Sequence, residues 1–298
     1  MKNKVIGWIG TGLMGRPMVG HLLKAGYTVN IYNRSKAKAE DLIAMGCGWY
    51  DSPAALTKNS AIIVTMIGSP KDVEECYFGG DGVFTGLRTG AILIDMTTTK
   101  PSLAVRISEQ AAVMGAEFVD APVSGGQVGA INGNLSIMIG GKKEVVDQVT
   151  PLFEAFGKNM VYQGKAGAGQ HAKMCNQITI AGTLIGMCEA LIYGYKAGLD
   201  LNVLLESISK GAAACWSLDV LAPKLVRKDY SPGFSIDNFV KDLRIALEEA
   251  DAMQLSLPGL ALAKQLYVSV QAMGGGGLGN QSLYLALEKL SNLDHREK

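Results

Sequence analysis

Apolar residues fall in short runs along the first half of the chain and at helical spacing along the second. The runs 5–9, 28–32, 61–66, 91–95, 117–121, 135–139 and 159–162 are four to six residues long and bounded by turn residues, which predicts β-strands. Segments 14–25, 36–45, 71–77, 101–114 and 143–156 carry helical patterns between them. From about Ala168 the Val, Ile and Thr runs give way to Leu, Ala and Met at helical intervals. Segment 170–197 reads as one helix of about 40 Å at 1.5 Å per residue. Further helices are predicted over 202–209, 217–225, 236–253, 258–273 and 281–292, with the glycines at 274–277 as a flexible connector.

The first apolar run leads directly into Gly10-Thr11-Gly12-Leu13-Met14-Gly15. Gly10 suits a tight turn, Gly12 a close approach of backbone to a pyrophosphate, and Gly15 close packing of a helix on the strand. The helix start then offers free N–H groups and its positive dipole end to phosphates. Strand–helix alternation with this turn implies an α/β fold, a Rossmann-type doubly wound parallel sheet. An all-α C-terminal domain follows, joined by a long interdomain helix. The expected domains are 1–164, binding the dinucleotide, and 165–298, helical, for substrate and dimerisation. Such sheets bind ligands at the carboxyl ends of their strands, so the site is expected in the cleft between the domains.

The end of the second strand bears on which dinucleotide. A carboxylate commonly stands there to bind the ribose 2′-hydroxyl, but the sequence is Asn33-Arg34-Ser35. Asn33 does not repel a 2′-phosphate, Arg34 offers a bidentate partner, and Ser35 offers a hydroxyl and a helix cap. Lys36 and Lys38 add positive charge. The expectation is NADP(H), with NAD(H) second.

Composition narrows the remaining classes. The 298 residues carry a net charge of +1 and only 18% charged side chains, which speaks against a nucleic-acid partner. Five cysteines without CxxC spacing point away from a disulfide framework or zinc site and toward the cytoplasm. His21, His171 and His295 are too dispersed for a metal cluster, so no metal is expected. Lys2 and Lys4 precede an apolar run that the glycines interrupt, unlike a signal peptide. The stretch 178–193 contains Glu189 and falls short of the ~20 residues of a membrane span, so a buried helix is expected.

Three more segments carry candidate chemistry. Asp120-Ala121-Pro122-Val123-Ser124-Gly125-Gly126 follows a strand; the Ser124 hydroxyl and the Gly125 and Gly126 amides suit a carboxylate, or the segment is an ordinary turn. Lys173 interrupts an apolar helix face, and lysine is rarely buried without a partner. Protonated at neutral pH, it is a candidate general acid, with a snorkelling surface lysine as the alternative. Asn176 and Gln177 share its face and can hold the amine or bind substrate. Lys241-Asp242 is either a solvated pair or places a second lysine toward the cofactor.

The segments 7–15, 120–126, 164–177 and 241–243, in this order across nearly the whole chain, resemble the β-hydroxyacid dehydrogenases. That family includes 3-hydroxyisobutyrate dehydrogenases, tartronate semialdehyde reductases and glyoxylate/succinic semialdehyde reductases. The resemblance implies that Lys173 is catalytic, that Ser124, Gly125 and Gly126 anchor the substrate carboxylate, and that Lys241 touches the cofactor. It extends cofactor contact to Ile67, Gly68 and Thr98. Many members have Asn where this chain has Gln177, with Asn176 just before it. Asn33-Arg34-Ser35 is similar to the NADP-preferring aldehyde reductases. The expected activity is NADPH-dependent reduction of small aldehyde or keto acids. The alternatives are oxidation of a 3-hydroxyisobutyrate-type acid, imine reduction as in relatives that typically lack the lysine, and a non-catalytic nucleotide-binding protein. The expected partner is a small carboxylated aldehyde or hydroxy acid, with no nucleic acid or membrane. The apolar helices of the second half suggest a homodimer or homotetramer.

Overall fold

The computed structural model describes residues 4–293, so Lys2 and His295 lie outside the described residues. The chain forms two units, Met1–Lys173 and Met174–Lys298.

In the first unit, β1 (Ile6–Ile9), β2 (Val29–Tyr32), β3 (Gly48–Trp49), β4 (Ile62–Thr65), β5 (Ile92–Asp95), β6 (Glu117–Asp120), β7 (Val123–Ser124), β8 (Leu135–Gly141) and β9 (Gly157–Gly164) make one nine-stranded sheet. Its order is β3-β2-β1-β4-β5-β6-β8-β7, with β9 on β8. The first six strands pair in parallel, and β1 lies between β2 and β4. That is the point where strand order reverses and open sheets bind ligands. The sheet is not parallel throughout: β8 runs antiparallel to β6 and β7. Only residues 125–134 connect β7 to β8, too few for a parallel crossover, which needs a dozen or more.

Both faces of the sheet are covered, as a parallel sheet requires. Ile62, Val64, Ile92 and Ile94 pack on one face with Trp8, Met18 and Leu22. Ile63 and Leu93 point to the other, among Leu56, Tyr77 and Ile107. The period-2 alternation of a strand thus serves two cores at once.

Short elements escaped the periodicity: β3, β7 and the helices Pro53–Lys58, Val83–Gly86 and Gly126–Asn132. Segment 36–45 is a 3-10 turn, Lys36–Ala39, followed by the short helix Glu40–Ala44, and Ser35 makes no side-chain cap to it. Capping chemistry is plain elsewhere. Ser52 Oγ accepts from Ala55 N at 3.1 Å, and Ser69 Oγ accepts from Asp72 N at 3.2 Å, each with Pro next in sequence.

Helix Ala168–Lys196 contains the boundary between the units. By length and composition it could cross a membrane, and 33% of its most apolar window is buried. It is therefore two-faced rather than buried throughout. Ala181, Leu184, Cys188 and Leu191 face a core, whereas Cys175, Thr179, Glu189 and Tyr193 are exposed.

The second unit adds helices Leu201–Ile208, Ala222–Val226, Ile236–Ala252, Pro258–Ala272 and Leu283–Leu290. Its core centres on Phe239, whose ring lies 5.9 Å from Phe234 and 5.0 Å from Tyr267, edge to face. Residues 217–221 form a π turn just before Pro223, which has no N–H to continue a regular α ladder. The glycines at 274–277 are pinned rather than loose. Asp237 N donates to Gly276 O at 3.0 Å, and Ile236 N donates to Leu278 O at 2.9 Å.

Two parallel strands end in fully buried carboxylates in register, Asp95 on β5 and Asp120 on β6. Burial pushes the Asp95 carboxyl up to about 6, against the opposing hydrogen bonds from Thr65 and Thr97. The folded chain therefore holds this proton more tightly than the unfolded one, and stability falls as pH rises from about 4 to about 6. Asp95→Asn keeps the accepting oxygen but removes the titration. Its stability relative to the parent should rise across that window by at most about 3 kcal/mol, at ~1.4 kcal/mol per pH unit, and level off above it. Urea unfolding of both proteins at pH 4.5, 5.5 and 7 measures this. A pH-independent difference would show that Asp95 does not titrate in this way.

Candidate functional site

The turn after β1 is shaped by its glycines. Gly10 has φ +98°, a left-handed conformation, and a Cβ there would collide with Met66 O. A Cβ on Gly15 would collide with Gly10 O and lie 2.9 Å from Trp8 Nε1, whose N–H donates to Gly10 O at 2.9 Å. A Cβ on Gly12 would meet nothing within 4 Å. The first and third glycines are thus required by the fold, while the second borders open space beside bare backbone, the feature expected of a pyrophosphate turn. Leu13 is exposed and Met14 packs against the core.

β2 delivers Asn33 to this turn. Thr11 N donates to Asn33 Oδ1 at 3.3 Å, and Asn33 Nδ2 donates to Ser35 O at 2.9 Å. The amide thereby shapes the 33–35 segment. Arg34 is exposed, and its Nη1 lies 3.1 Å from Asp72 Oδ1. Ser69 donates to the other Asp72 oxygen at 2.6 Å, and a Cβ on Gly68 would lie 2.9 Å from that oxygen. Asp72 is a carboxylate beside the predicted phosphate partner that sequence reasoning missed; its only signal was the Ser69-x-x-Asp72 capping pattern. Lys36 lies over the Trp49 ring at 5.5 Å, and the Lys38 carbonyl accepts from Arg16 at 2.5 Å.

The loops after β4, β5 and β6 are tied together by buried hydrogen bonds. Asp95 Oδ1 accepts from Thr65 Oγ1 at 2.8 Å and Thr97 N at 3.0 Å. Thr97 Oγ1 accepts from Ile67 N at 3.0 Å. Gln170 Nε2 donates to Thr97 O at 2.7 Å, and Gln170 Oε1 accepts from Thr99 N at 3.0 Å. The Asp120 carboxylate receives Gly167 N and Gln170 N, each at 2.8 Å. Burial raises the Asp120 carboxyl above the usual range while these N–H groups pull it down. The network brings together three predicted loops, those of Ile67–Gly68, Thr98 and Asp120–Gly126, at the start of the long helix. Asp95, Thr97 and Gln170 were not predicted. Their signal was two strands, Ile92-Leu93-Ile94-Asp95 and Glu117-Phe118-Val119-Asp120, that each close an apolar run with a carboxylate.

Ser124 ends β7, paired with Ser136, and is half-buried. Gly125 and Gly126 have φ of +123° and +61°, so side chains there would strain the loop. Lys173 is 6% exposed and so is not a snorkelling surface residue.

In the second unit, Asn176 Nδ2 donates to Gln177 Oε1 at 2.7 Å, and Gln177 Nε2 donates to Asp242 Oδ2 at 2.6 Å. Lys241 Nζ lies 3.0 Å from Asp242 Oδ1. Asp242 is 1% exposed, so the Lys241–Asp242 pair is not solvated as a surface pair would be. Leu218 and Phe239 are buried core residues of this unit, whereas Trp216 is exposed.

Two family profiles cover the chain. Residues 5–164 match the NAD binding domain of 6-phosphogluconate dehydrogenase. Residues 167–287 match the NAD-binding domain of NADP-dependent 3-hydroxyisobutyrate dehydrogenase. A probable 3-hydroxyisobutyrate dehydrogenase-like 1, mitochondrial, of Arabidopsis thaliana is 50% identical over 98% of this chain and 87% of its own. The 2-hydroxy-3-oxopropionate reductase of Escherichia coli is 36% identical over 96% and 98%. A solved Mycobacterium tuberculosis 3-hydroxyisobutyrate dehydrogenase with L-serine superposes with a TM-score of 0.88, at 28% identity, over 95% of this chain and 99% of that one.

The two glycines make separable predictions. Gly15→Ala should lower unfolding stability by about 2 kcal/mol or more, because backbone must move to admit the methyl group. Gly12→Ala should leave stability within about 1 kcal/mol, because a Cβ there meets nothing within 4 Å, yet weaken dinucleotide binding. Thermal melts and cofactor titration on both variants check the pair. Equal binding by Gly12→Ala and the parent would remove the phosphate from that turn.

Proposed function

Because this chain belongs to the β-hydroxyacid dehydrogenase family and is an NAD(P)-dependent oxidoreductase, we propose that it reduces small aldehyde or keto acids with NADPH, of the glyoxylate, succinic semialdehyde or tartronate semialdehyde type. The observation that carries this reading is a buried Lys173 on a helix whose first turn is bonded to the strand-end loops. The nicotinamide cofactor supplies the hydride when bound. The turn Gly10–Gly15 takes the pyrophosphate, and Ile67, Gly68 and Thr98 line its path. Asn33, Arg34 and Ser35 receive the 2′-phosphate, with no carboxylate at the end of β2 to repel it. Ser124 and the Gly125 and Gly126 amides hold the substrate carboxylate. Lys173 donates a proton to the carbonyl oxygen as it gains negative charge. Lys241 touches the cofactor. Gln177 is engaged by Asp242 and Asn176, which supports a role in holding Asn176 toward substrate or lysine.

The reverse reaction, oxidation of a 3-hydroxyisobutyrate-type acid, is the second reading, favoured by the name of the 50% identical relative. The same residues would serve it, with Lys173 accepting the proton. A cytoplasmic location suits the five free cysteines. A homodimer or homotetramer would cover apolar side chains such as Val203 and Leu262.

A panel of glyoxylate, succinic semialdehyde, tartronate semialdehyde and butyraldehyde with NADPH and NADH, plus 3-hydroxyisobutyrate with NADP and NAD, tests the function. The acids should turn over faster with NADPH, and butyraldehyde poorly. Lys173→Ala should lower turnover by at least about 10²-fold, the lower end for a positioned acid, with NADPH binding retained. Equal use of both cofactors counts against the Arg34 assignment, efficient butyraldehyde reduction against the serine-glycine loop, and near-normal turnover by Lys173→Ala against the lysine.

A further inference from the structure

We infer that Gln170 is a positioning residue, whose side-chain amide fixes Lys173 against the loop Thr97–Thr99. This rests on the reading of Lys173 as proton donor. Gln170 is 0% exposed, and both ends of its amide are engaged by main chain on either side of residue 98. It accepts from Thr99 N and donates to Thr97 O, as a neighbouring strand would. Its own N–H is held by Asp120, and the loop is held from below by Asp95 and by Ile67 N. Gln170 is thus where the fixed loop and the start of the helix meet.

The chemistry requires an amide. One face of the slot presents a donor and the other an acceptor, so the side chain must supply an oxygen and an N–H together. A leucine fills the space but leaves Thr99 N and Thr97 O unpaired in a dry interior. A carboxylate sets oxygen against the Thr97 carbonyl and fits only when protonated. Lys173 lies three residues on, about 4.5 Å along the helix axis and on the same side. Rotation or slip of the first turn therefore moves the amine directly, and misplacement by about 1 Å can cost 10²-fold in rate. The titratable groups on the segments around residue 170 are Asp95, Lys100, Asp120, Lys165, His171 and Lys173. The two buried carboxylates favour protonation of a glutamate placed at that position, and the cations oppose it.

The test compares the parent with Gln170→Leu, Gln170→Glu and Lys173→Ala. Two readouts need no turnover: deuterium exchange at Thr99 N–H, and acetic anhydride labelling of Lys173 followed by mass spectrometry. Gln170→Leu should speed both by about 10-fold, the effect of losing ~1.4 kcal/mol of local order, while exchange in β4 and β5 stays at the parent rate. Turnover with NADPH and succinic semialdehyde should fall by about 10- to 100-fold, and NADPH affinity should change less than about threefold. Gln170→Glu should regain turnover relative to the parent as pH falls from 8 to 5.5. If Gln170→Leu does not fold, this pH-dependent rescue decides the matter alone. Unchanged labelling and turnover in Gln170→Leu, or a Gln170→Glu profile parallel to the parent's, overturns the role. Near-normal turnover by Lys173→Ala would instead sink the proton-donor reading. The exchange and labelling results would then still decide whether Gln170 holds Lys173.

Discussion

Backbone groups at the carboxyl ends of buried strands must find partners away from water, and this chain meets that demand with two carboxylates and one amide. Asp95 and Asp120 accept main-chain N–H groups from the next loop and from the start of the long helix. Gln170 closes the remaining gap between them. An ionised carboxylate is costly to bury unless it is hydrogen-bonded, so these loops have little freedom to rearrange. The strand-end loops are in this way built on the interior of the sheet, and the glycines at 140 and 169 follow from it. A side chain at Gly140 or Gly169 would press on Asp120 itself.

The fold was legible because its main strands are short, nearly continuous apolar runs bounded by turn residues and covered on both faces, and its major helices carry strong periodicity. The glycine turn was legible because its spacing follows from backbone geometry that only glycine satisfies. Short elements such as Gly48–Trp49 and Val123–Ser124 were not, since two residues define no period. The antiparallel β8 was not either, because its direction depends on a connection length rather than on its own composition. In the site, Asn33, Arg34 and Lys173 stood out by charge, or by its absence, at positions where the opposite is usual. Gln170 did not, because a hydrogen-bond partner distant in sequence leaves no mark on the residues around it, and the Ser69-x-x-Asp72 pattern marks a helix cap without marking the contact of Asp72 with Arg34.

The second unit shows the same division of labour on a smaller scale. Phe239 anchors the core of helix Ile236–Ala252, and three residues on that helix fixes Asp242 in a buried position. Asp242 then holds Gln177 on one oxygen and Lys241 on the other. Gln177 reaches this carboxylate through its longer side chain, and its amide is thereby fixed.

The pairing of Arg34 with Asp72 changes what an anion gains at that surface. A guanidinium with a carboxylate already beside it is a seat that is occupied rather than vacant. A singly charged anion arriving there exchanges one partner for an equivalent one, and the net gain is small. A group with more negative charge gains more in that exchange than a carboxylate does, and Asp72 has Ser69 as a second partner. Any anion that binds Arg34 therefore does so in exchange with a carboxylate, so its affinity there is a difference between two partners and not the strength of one contact.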